Sequence, residues 1–449
     1  MTEKKTITIN GAGLVGSLLA ILLAKKGYEV VIYDMRPDPR ETKALGGRSI
    51  NLALSNRGWL ALEKAGIAQE IKQKAIPMKG RMMHNTDGKL TFQPYGKSGQ
   101  AIFSVSRSGL NQTLIEQSSK LETVRYQFDK KCTSVDLDAS TLYFTDTNTQ
   151  KTLSTTYNYL IGSDGAFSPT RAAMQRKTRF NYSQEFLTHG YKELHIPATP
   201  EGDFALEPNA LHIWPRKQFM LIALPNADKS FTATLFLAFE GRTAFENLQT
   251  TANISAFFEQ HFPDTLPIIP ALVEQFQENP TSSLVTIKCQ PWLYHNTLLI
   301  GDASHAIVPF YGQGMNSGFE DCYLLDDMLE NAKQPILSVF DEFQKQRKKD
   351  ADAIAELALQ NFIEMRDLVA DKDFLLRKKI EARLHELYPS NWMPLYSMVT
   401  FSHIPYSEAL KVGQKQQTIM NDVMQLEGIE NNWETIDFSN IKALKQYFT

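Results

Sequence analysis

Residues 6–34 read TITINGAGLVGSLLAILLAKKGYEVVIYD, and this stretch decides the fold. Thr6 to Asn10 alternates Thr and Ile as a short strand does, and Gly11-Ala12-Gly13-Leu14-Val15-Gly16 follows at once. Leu14 to Lys26 reads as a helix that ends in basic residues and Gly27, which suit a carbonyl-rich terminus and a left-handed position after it. Glu29 to Tyr33 is the next strand, closed by Asp34, so the stretch is one strand-helix-strand unit. A GxGxxG placed between strand and helix has a mechanism. Gly11 makes the tight turn, Gly13 lets a pyrophosphate approach the backbone, and Gly16 lets the helix pack closely, while the helix N-terminus carries partial positive charge. Asp34 is placed to accept hydrogen bonds from a ribose 2′-OH and would repel a 2′-phosphate. The pocket therefore suits FAD or NAD rather than NADP. The competing reading is a glycine-rich turn of some other α/β protein.

Outside this unit, the composition narrows the function classes. The 449 residues are 43% hydrophobic and 22% charged, enough for two or three packed regions. The 47 basic and 50 acidic residues leave a net charge of -3, which gives no polycation for a phosphate backbone, so nucleic acid is not an expected partner. Cys132, Cys289 and Cys322 are far apart and show no metal-ligand spacing; they read as buried thiols of a reducing compartment. Lys4 and Lys5 before Leu18 to Ala24 imitate a signal peptide, but three glycines interrupt the run and Lys25-Lys26-Gly27 ends it without a cleavage site. The expectation is a cytoplasmic protein. No apolar run is long enough to span a membrane, and the C-terminal residues Ile441 to Thr449 are short and mixed.

Further along, Ser104 to Lys120 reads as a capped helix, Thr123 to Phe144 contains strand-like segments, and Tyr157 to Gly162 is a short apolar strand. Tyr191 to Phe239 alternates in long segments separated by Pro and Asn turns, as an inserted, mainly antiparallel sheet does. Leu298 to Gly301 returns to a strand and Ser317 to Glu330 to a helix; beyond Pro335 the chain is helical, with breaks near Pro389, Pro394 and Pro405. The expected architecture is an α/β fold. A Rossmann-like FAD-binding region spans 1–180 and continues over 286–335, a substrate-binding sheet region spans 181–285, and a C-terminal helical cap spans 336–449.

Two later motifs choose between FAD and NAD. Leu160-Ile161-Gly162-Ser163-Asp164-Gly165-Ala166-Phe167-Ser168, followed by Arg171, resembles the DG motif of flavoprotein hydroxylases. Leu299-Ile300-Gly301-Asp302-Ala303-Ser304-His305, with Pro309 and then Gly312-Gln313-Gly314-Met315-Asn316, resembles their GD motif. Asp302 after a strand can hold a ribityl chain, and glycines before a helix bring backbone N–H groups toward the flavin N1/C2=O edge. The three motifs in this order resemble the group A FAD-dependent aromatic hydroxylases. That resemblance implies tightly bound FAD and NADPH as a transient reductant with no Rossmann pocket of its own, and it adds Arg36, Arg48 and Arg107 to the cofactor residues.

Strings with narrower likeness are Gly47 to Ser55, Gly80-Arg81-Met82, Gln93-Pro94-Tyr95-Gly96, Glu207 to Pro215 and Tyr396 to Phe401. Spread over the chain, they resemble the bacterial members of the kynurenine 3-monooxygenase family. The resemblance implies that Arg81, Tyr95, Asn361 and Tyr396 surround an amino-acid carboxylate, for which arginine offers a planar fork and tyrosine a neutral donor. It also implies that Leu211, Ile213, Met220, Ile222, Leu224 and Phe236 wall an aromatic ring, with Pro309, Phe310, Tyr311 and Met365 completing the pocket. Read without the resemblance, Arg81 would be a solvated surface charge and the apolar residues ordinary core. Tyr311 stands where the bacterial pattern often has histidine, which changes size and titration.

The implied reaction is NADPH-driven hydroxylation of L-kynurenine to 3-hydroxykynurenine with O2, through a flavin C4a-hydroperoxide, in tryptophan breakdown toward quinolinate and pyridine nucleotides. No metal and no side-chain nucleophile is required, and the residues named are positioning residues. A monomer or homodimer is expected. Two alternatives stay open: a related hydroxylase of another aromatic acid, and a non-catalytic binding protein of the same fold.

Overall fold

Strand Thr6–Asn10 lies at the centre of a six-stranded sheet. The computed structural model describes residues 6–41, 51–95, 99–177, 179–365 and 371–448. The sheet runs Leu293–Tyr294, Thr297–Leu299, Tyr159–Gly162, Thr6–Asn10, Glu29–Tyr33, Val124–Gln127, parallel throughout except for the hairpin at its first edge. Ile7, Ile9, Val30, Ile32, Leu160, Ile161, Leu298 and Leu299 are fully buried, because helices cover both faces of a parallel sheet and leave no side for polar residues. The register sets Asn10 beside both Gly162 and Tyr33, and Gly162 beside Leu299. Four strand ends therefore deliver Gly11, Asp34, Asp164 and Asp302 to one edge, the place where such sheets bind ligands.

Helix Leu14–Lys25 is buried from Gly16 through Leu23 and ends as expected, with Gly27 at φ +82°. The segment read as a helix from Ser104 divides differently: Ile102–Ser106 is a strand, and the helix is Arg107–Ser119. The Ser106 hydroxyl accepts a hydrogen bond from the Gly109 N–H, so this serine ends the strand and caps the helix at once. Helices Leu395–Thr400 and Tyr406–Met424 start directly after Pro394 and Pro405, since the residue before a proline is driven out of the helical region.

A second, seven-stranded sheet has the order Ser282–Gln290, Asn181–Ile196, Phe231–Ala238, Met220–Pro225, Ala210–Pro215, Gly80–His84, Leu90–Pro94. Only Ala210–Pro215 and Gly80–His84 are parallel neighbours. The sheet thus draws strands from 80–94 as well as from 181–290. Its two faces alternate along each strand. Met220, Phe236 and Ile213 pack toward the C-terminal helices, against Phe310, Ile354, Phe362 and Met398. Leu221, Ala223, Leu235 and Trp214 face the other way, onto a core with Phe258 and Phe262. On that reverse face His84 bridges His212 (Nε2 to Nδ1, 2.8 Å) and Asp264 (Nδ1 to Oδ2, 2.9 Å), while His212 Nε2 donates to the Glu207 carbonyl at 2.9 Å. The cap is built from Ile336–Ile363, Lys372–Leu387, Leu395–Thr400 and Tyr406–Met424 with short helices after them. Among the described residues no helix is long and apolar enough to cross a membrane, and no cluster of His, Cys, Asp and Glu is arranged to hold a metal.

Candidate active site

A single cavity of about 950 Å³ runs from the carboxyl edge of the parallel sheet to the face of the second sheet beneath the cap. Its cofactor end is made largely of backbone. Gly11 has φ +110°, and a Cβ there would lie 2.5 Å from the Ser163 carbonyl oxygen; a Cβ on Gly16 would lie 2.0 Å from the Gly11 oxygen. Gly13 is different, because a Cβ there would meet no protein atom within 4 Å. The space in front of Gly13 belongs to the cavity, and the helix N-terminus beside it has no side-chain cap, so its N–H groups stand open to an anion. Gly13, Leu14, Arg36, Arg107, Lys131 and Gly165 line this end. These features fit a dinucleotide pyrophosphate.

Two acidic residues at this end carry different loads. Asp34 accepts from the Ala12 N–H at 2.7 Å and from the Arg36 N–H, Nε and Nη2 at 2.8 to 2.9 Å. Burial pushes its carboxyl up, but Arg36 and the two amides outweigh this and hold it below the ordinary carboxylate range. All of the roughly four acceptor positions of a carboxylate are then taken, so a ribose hydroxyl would share Asp34 with Arg36 rather than meet it free. Asp164 is held through Oδ2 by Asn10 and by the Thr170 N–H and hydroxyl; among the described residues its Oδ1 has no hydrogen-bond partner, and burial raises its pKa. Cys132 also lines the cavity, its thiol pushed up to about 12 by burial, so it stands there as a neutral thiol.

The later glycine motif splits into residues that face the cavity and residues that hold them. Asp302, Pro309, Gly312, Gly314 and Met315 line it, with Gly312 at φ +67°. Gly301 and Asn316 do not. Gly301 (φ +61°) packs against Val15 and donates its N–H to Asp321 Oδ2 at 3.0 Å. Asn316, fully buried, accepts from the Ser55 N–H and donates to the Ala53 and Gly312 carbonyls at 2.8 to 2.9 Å. It was expected to touch the cofactor; instead it fixes the turn that lines the cavity. Arg48 lies outside the described residues.

At the far end Arg81 and Tyr396 line the cavity, and Tyr95 stacks behind Tyr396 at 5.3 Å and 11°. Tyr311 stacks on the other side of Tyr396, at 5.6 Å and 16°. The Arg81 guanidinium carbon lies 4.9 Å from the Tyr396 ring centre and 5.6 Å from that of Tyr95. Among the described residues no carboxylate is ion-paired with Arg81, and Arg81 Nε and the Tyr95 hydroxyl have no hydrogen-bond partner. A half-buried guanidinium framed by aromatic rings attracts an anion from the cavity. Burial raises the Tyr95 and Tyr311 phenols well above the ordinary range, so both remain neutral donors.

Between the two ends Leu211, Met220, Ile222, Leu224 and Phe236 form one wall, and Pro309, Phe310, Tyr311 and Met365 the other. Ile213 is fully buried beneath the first wall and does not line it. Asn361, expected near the carboxylate, sits behind Phe310: its Nδ2 donates to the Phe310 carbonyl at 2.6 Å and approaches the Met365 sulfur at 3.4 Å. Thr232, Thr234 and Tyr191 also line the cavity and were missed by sequence. Counting back by two from Phe236 along its strand would have found both threonines.

The comparisons with known proteins agree with this geometry. Residues 4–356 match the family described as the FAD binding domain. The oxygenase of 2-methyl-3-hydroxypyridine-5-carboxylic acid superposes with a TM-score of 0.66 at 17% identity, over 84% of this chain and 96% of its own. PqsL of Pseudomonas aeruginosa superposes at 0.63 and 18%, over 80% and 99%. The family match, with the dinucleotide-fitting end of the cavity, defines a flavoprotein of the FAD-binding class. Within that class, the kynurenine 3-monooxygenase of Flavobacterium psychrophilum is 50% identical over 97% of both chains, and that of Dictyostelium discoideum 45% over 94% and 93%. The chain belongs to the kynurenine 3-monooxygenase family.

Proposed function

We propose that this protein binds FAD and uses NADPH and O2 to hydroxylate L-kynurenine to 3-hydroxykynurenine, releasing NADP⁺ and water. The observation that carries the reading is one continuous cavity with a dinucleotide cradle at one end and, at the other, an arginine with no carboxylate partner among the described residues. Kynurenine is an aniline ring bearing an amino-acid tail. Arg81, with Tyr396 and Tyr95 around it, takes the carboxylate, and the walls of Leu211, Met220, Ile222, Leu224, Phe236 and Phe310 hold the ring and exclude water from it. FAD, when bound, supplies the passage of electrons from NADPH to oxygen and the activated oxygen for the ring. The side chains bind, orient and dry the site. Asp164, Asp302 and the Gly312 to Met315 turn position the cofactor, with Asp34 and Arg36 at its ribose end.

The family relationship supports the substrate, since its members carry that name. On this reading it works in the cytoplasm, as a monomer or homodimer, in tryptophan breakdown by way of kynurenine. The test is NADPH oxidation by the FAD-loaded protein with and without L-kynurenine, with the product weighed by mass spectrometry. Faster oxidation and a gain of one oxygen atom are expected; neither appearing would remove kynurenine as substrate while leaving FAD binding intact.

A further inference from the structure

Arg57 sits in the first turn of helix Asn56–Ala65, where a cation opposes the helix dipole, and its side chain is completely buried. Its guanidinium turns away from that helix. Nε donates to the Val399 carbonyl at 3.0 Å and Nη2 to the carbonyls of Ile404 and Met398, while Nη1 pairs with Glu320. Met398 and Val399 belong to helix Leu395–Thr400, whose second residue is Tyr396. Arg57 therefore grips the carbonyl end of the helix that sets Tyr396 against Arg81.

The pairing continues toward the cofactor end. Glu320 pairs with Arg347 Nη1 at 2.8 Å, and Arg347 Nε meets Asp321 Oδ1 at 2.6 Å. Asp321 Oδ2 accepts the Gly301 N–H at 3.0 Å and His305 Nε2 at 2.6 Å. The Tyr406 ring contacts both guanidinium groups, 3.9 Å from Arg57 and 5.5 Å from Arg347, and its hydroxyl donates to Gln313 Oε1 at 2.9 Å. Gln313 stands between Gly312 and Gly314 in the cofactor turn. A chain of buried charges thus joins the Gly301 turn to the tyrosine helix of the other end, and the neutral Tyr406 ties the Gly312 to Gly314 turn to the same two guanidinium groups.

Apolar residues would glue these elements together at less desolvation cost, but they would not fix carbonyl directions. A planar fork with five donors does. We propose that Arg57 is a positioning residue: through the chain Arg57–Glu320–Arg347–Asp321 it makes the substrate-carboxylate clamp and the flavin seat one rigid unit. This rests on reading Arg81 and Tyr396 as that clamp.

The test is a double-mutant cycle in FAD-loaded protein, with the kynurenine dissociation constant read from the flavin absorbance change. Arg57→Lys keeps a charge for Glu320 but cannot span three carbonyls. It should raise the constant about tenfold in the parent and less than about twofold in a Tyr396→Ala background, with FAD content unchanged. It should also divert NADPH-derived electrons from product to hydrogen peroxide. Equal effects in the two backgrounds, or a lower melting temperature with an unchanged constant, would reduce Arg57 to structural glue and overturn the proposal. If Arg57→Lys loses FAD, Tyr406→Phe, which deletes only the hydroxyl bond to Gln313, should show the same dependence on Tyr396 at about threefold. No dependence there overturns it equally. An absent flavin response in the unmutated protein would instead sink the substrate reading, and the inference with it.

Discussion

The two ends of the cavity are built from different materials. At the cofactor end the determining atoms are backbone: a Cβ on Gly11 or Gly16 would run into backbone oxygen, and Gly13, Gly312 and Gly314 border the cavity. At the substrate end the determining atoms are side chains on strands, a 3-10 turn and a helix that are distant in sequence. A backbone-made site tolerates almost no change but recurs across a fold, whereas a side-chain-made site can be rewritten one position at a time.

The sharpest test of that difference is the pair Gly16→Ala and Gly13→Ala. The first places a Cβ 2.0 Å from the Gly11 oxygen and should cost about 3 kcal/mol or more, giving little folded yellow protein. The second meets no protein atom, so the apoprotein should melt as the parent does and only FAD affinity should fall. Equal melting losses in the two would break the comparison. Acid tests the substrate end from behind. Burial pushes His212 down to about 4 from 6.5, so the folded state binds fewer protons than the unfolded one. Its contribution is present above pH 6.5 and is lost as pH falls from there to about 4, roughly 3 kcal/mol in all. Asp264, lowered because His84 and Trp214 outweigh its burial, acts in the same direction. Denaturant titrations between pH 7 and 4.5 should show this slope, and His212→Gln should flatten it.

Next comes Arg81→Ala, expected to weaken kynurenine binding on the order of a hundredfold without loss of FAD. A similar loss in both ligands would show that the ends are not separable in this way. The smallest effect belongs to Tyr311→Phe, which keeps the stack on Tyr396 and removes one buried hydroxyl. A change of no more than about fivefold in kcat/KM is expected; a hundredfold drop would give the phenol a part in proton transfer.

The same contrast explains what was legible beforehand. The strand-helix-strand unit from Thr6 to Tyr33 stands within a residue of its reading, because local spacing and glycine geometry specify it. The even spacing of Met220, Ile222 and Leu224 also placed them on one face, which lines the cavity. What spacing could not show is which polar residues face a ligand and which face a carbonyl. Asn316 and Asn361 both turned out to tie backbone behind the cavity wall. Gly80–His84 gave no strand signal of its own, since its burial depends on a parallel neighbour more than a hundred residues later, and Leu90–Pro94 is a mostly exposed edge strand paired to it. The part of Arg57 cannot be read from its own helix, because its partners lie on distant segments at Glu320, Met398, Val399, Ile404 and Tyr406.

The turn Pro309–Tyr311 and Gly312 after it carry a metric consequence. Phe310 lies against the ring pocket and Gly312 in the cofactor turn, two residues apart on a single stretch of backbone that rises about 2 Å per residue. The separation between what each holds is gauged by covalent geometry rather than by packing, and Asn361 keeps the gauge from swinging. A bulkier aromatic guest could be accommodated only by carving the opposite, stranded wall at Leu211, Ile222 or Leu224; the reach to the flavin would stay as it is.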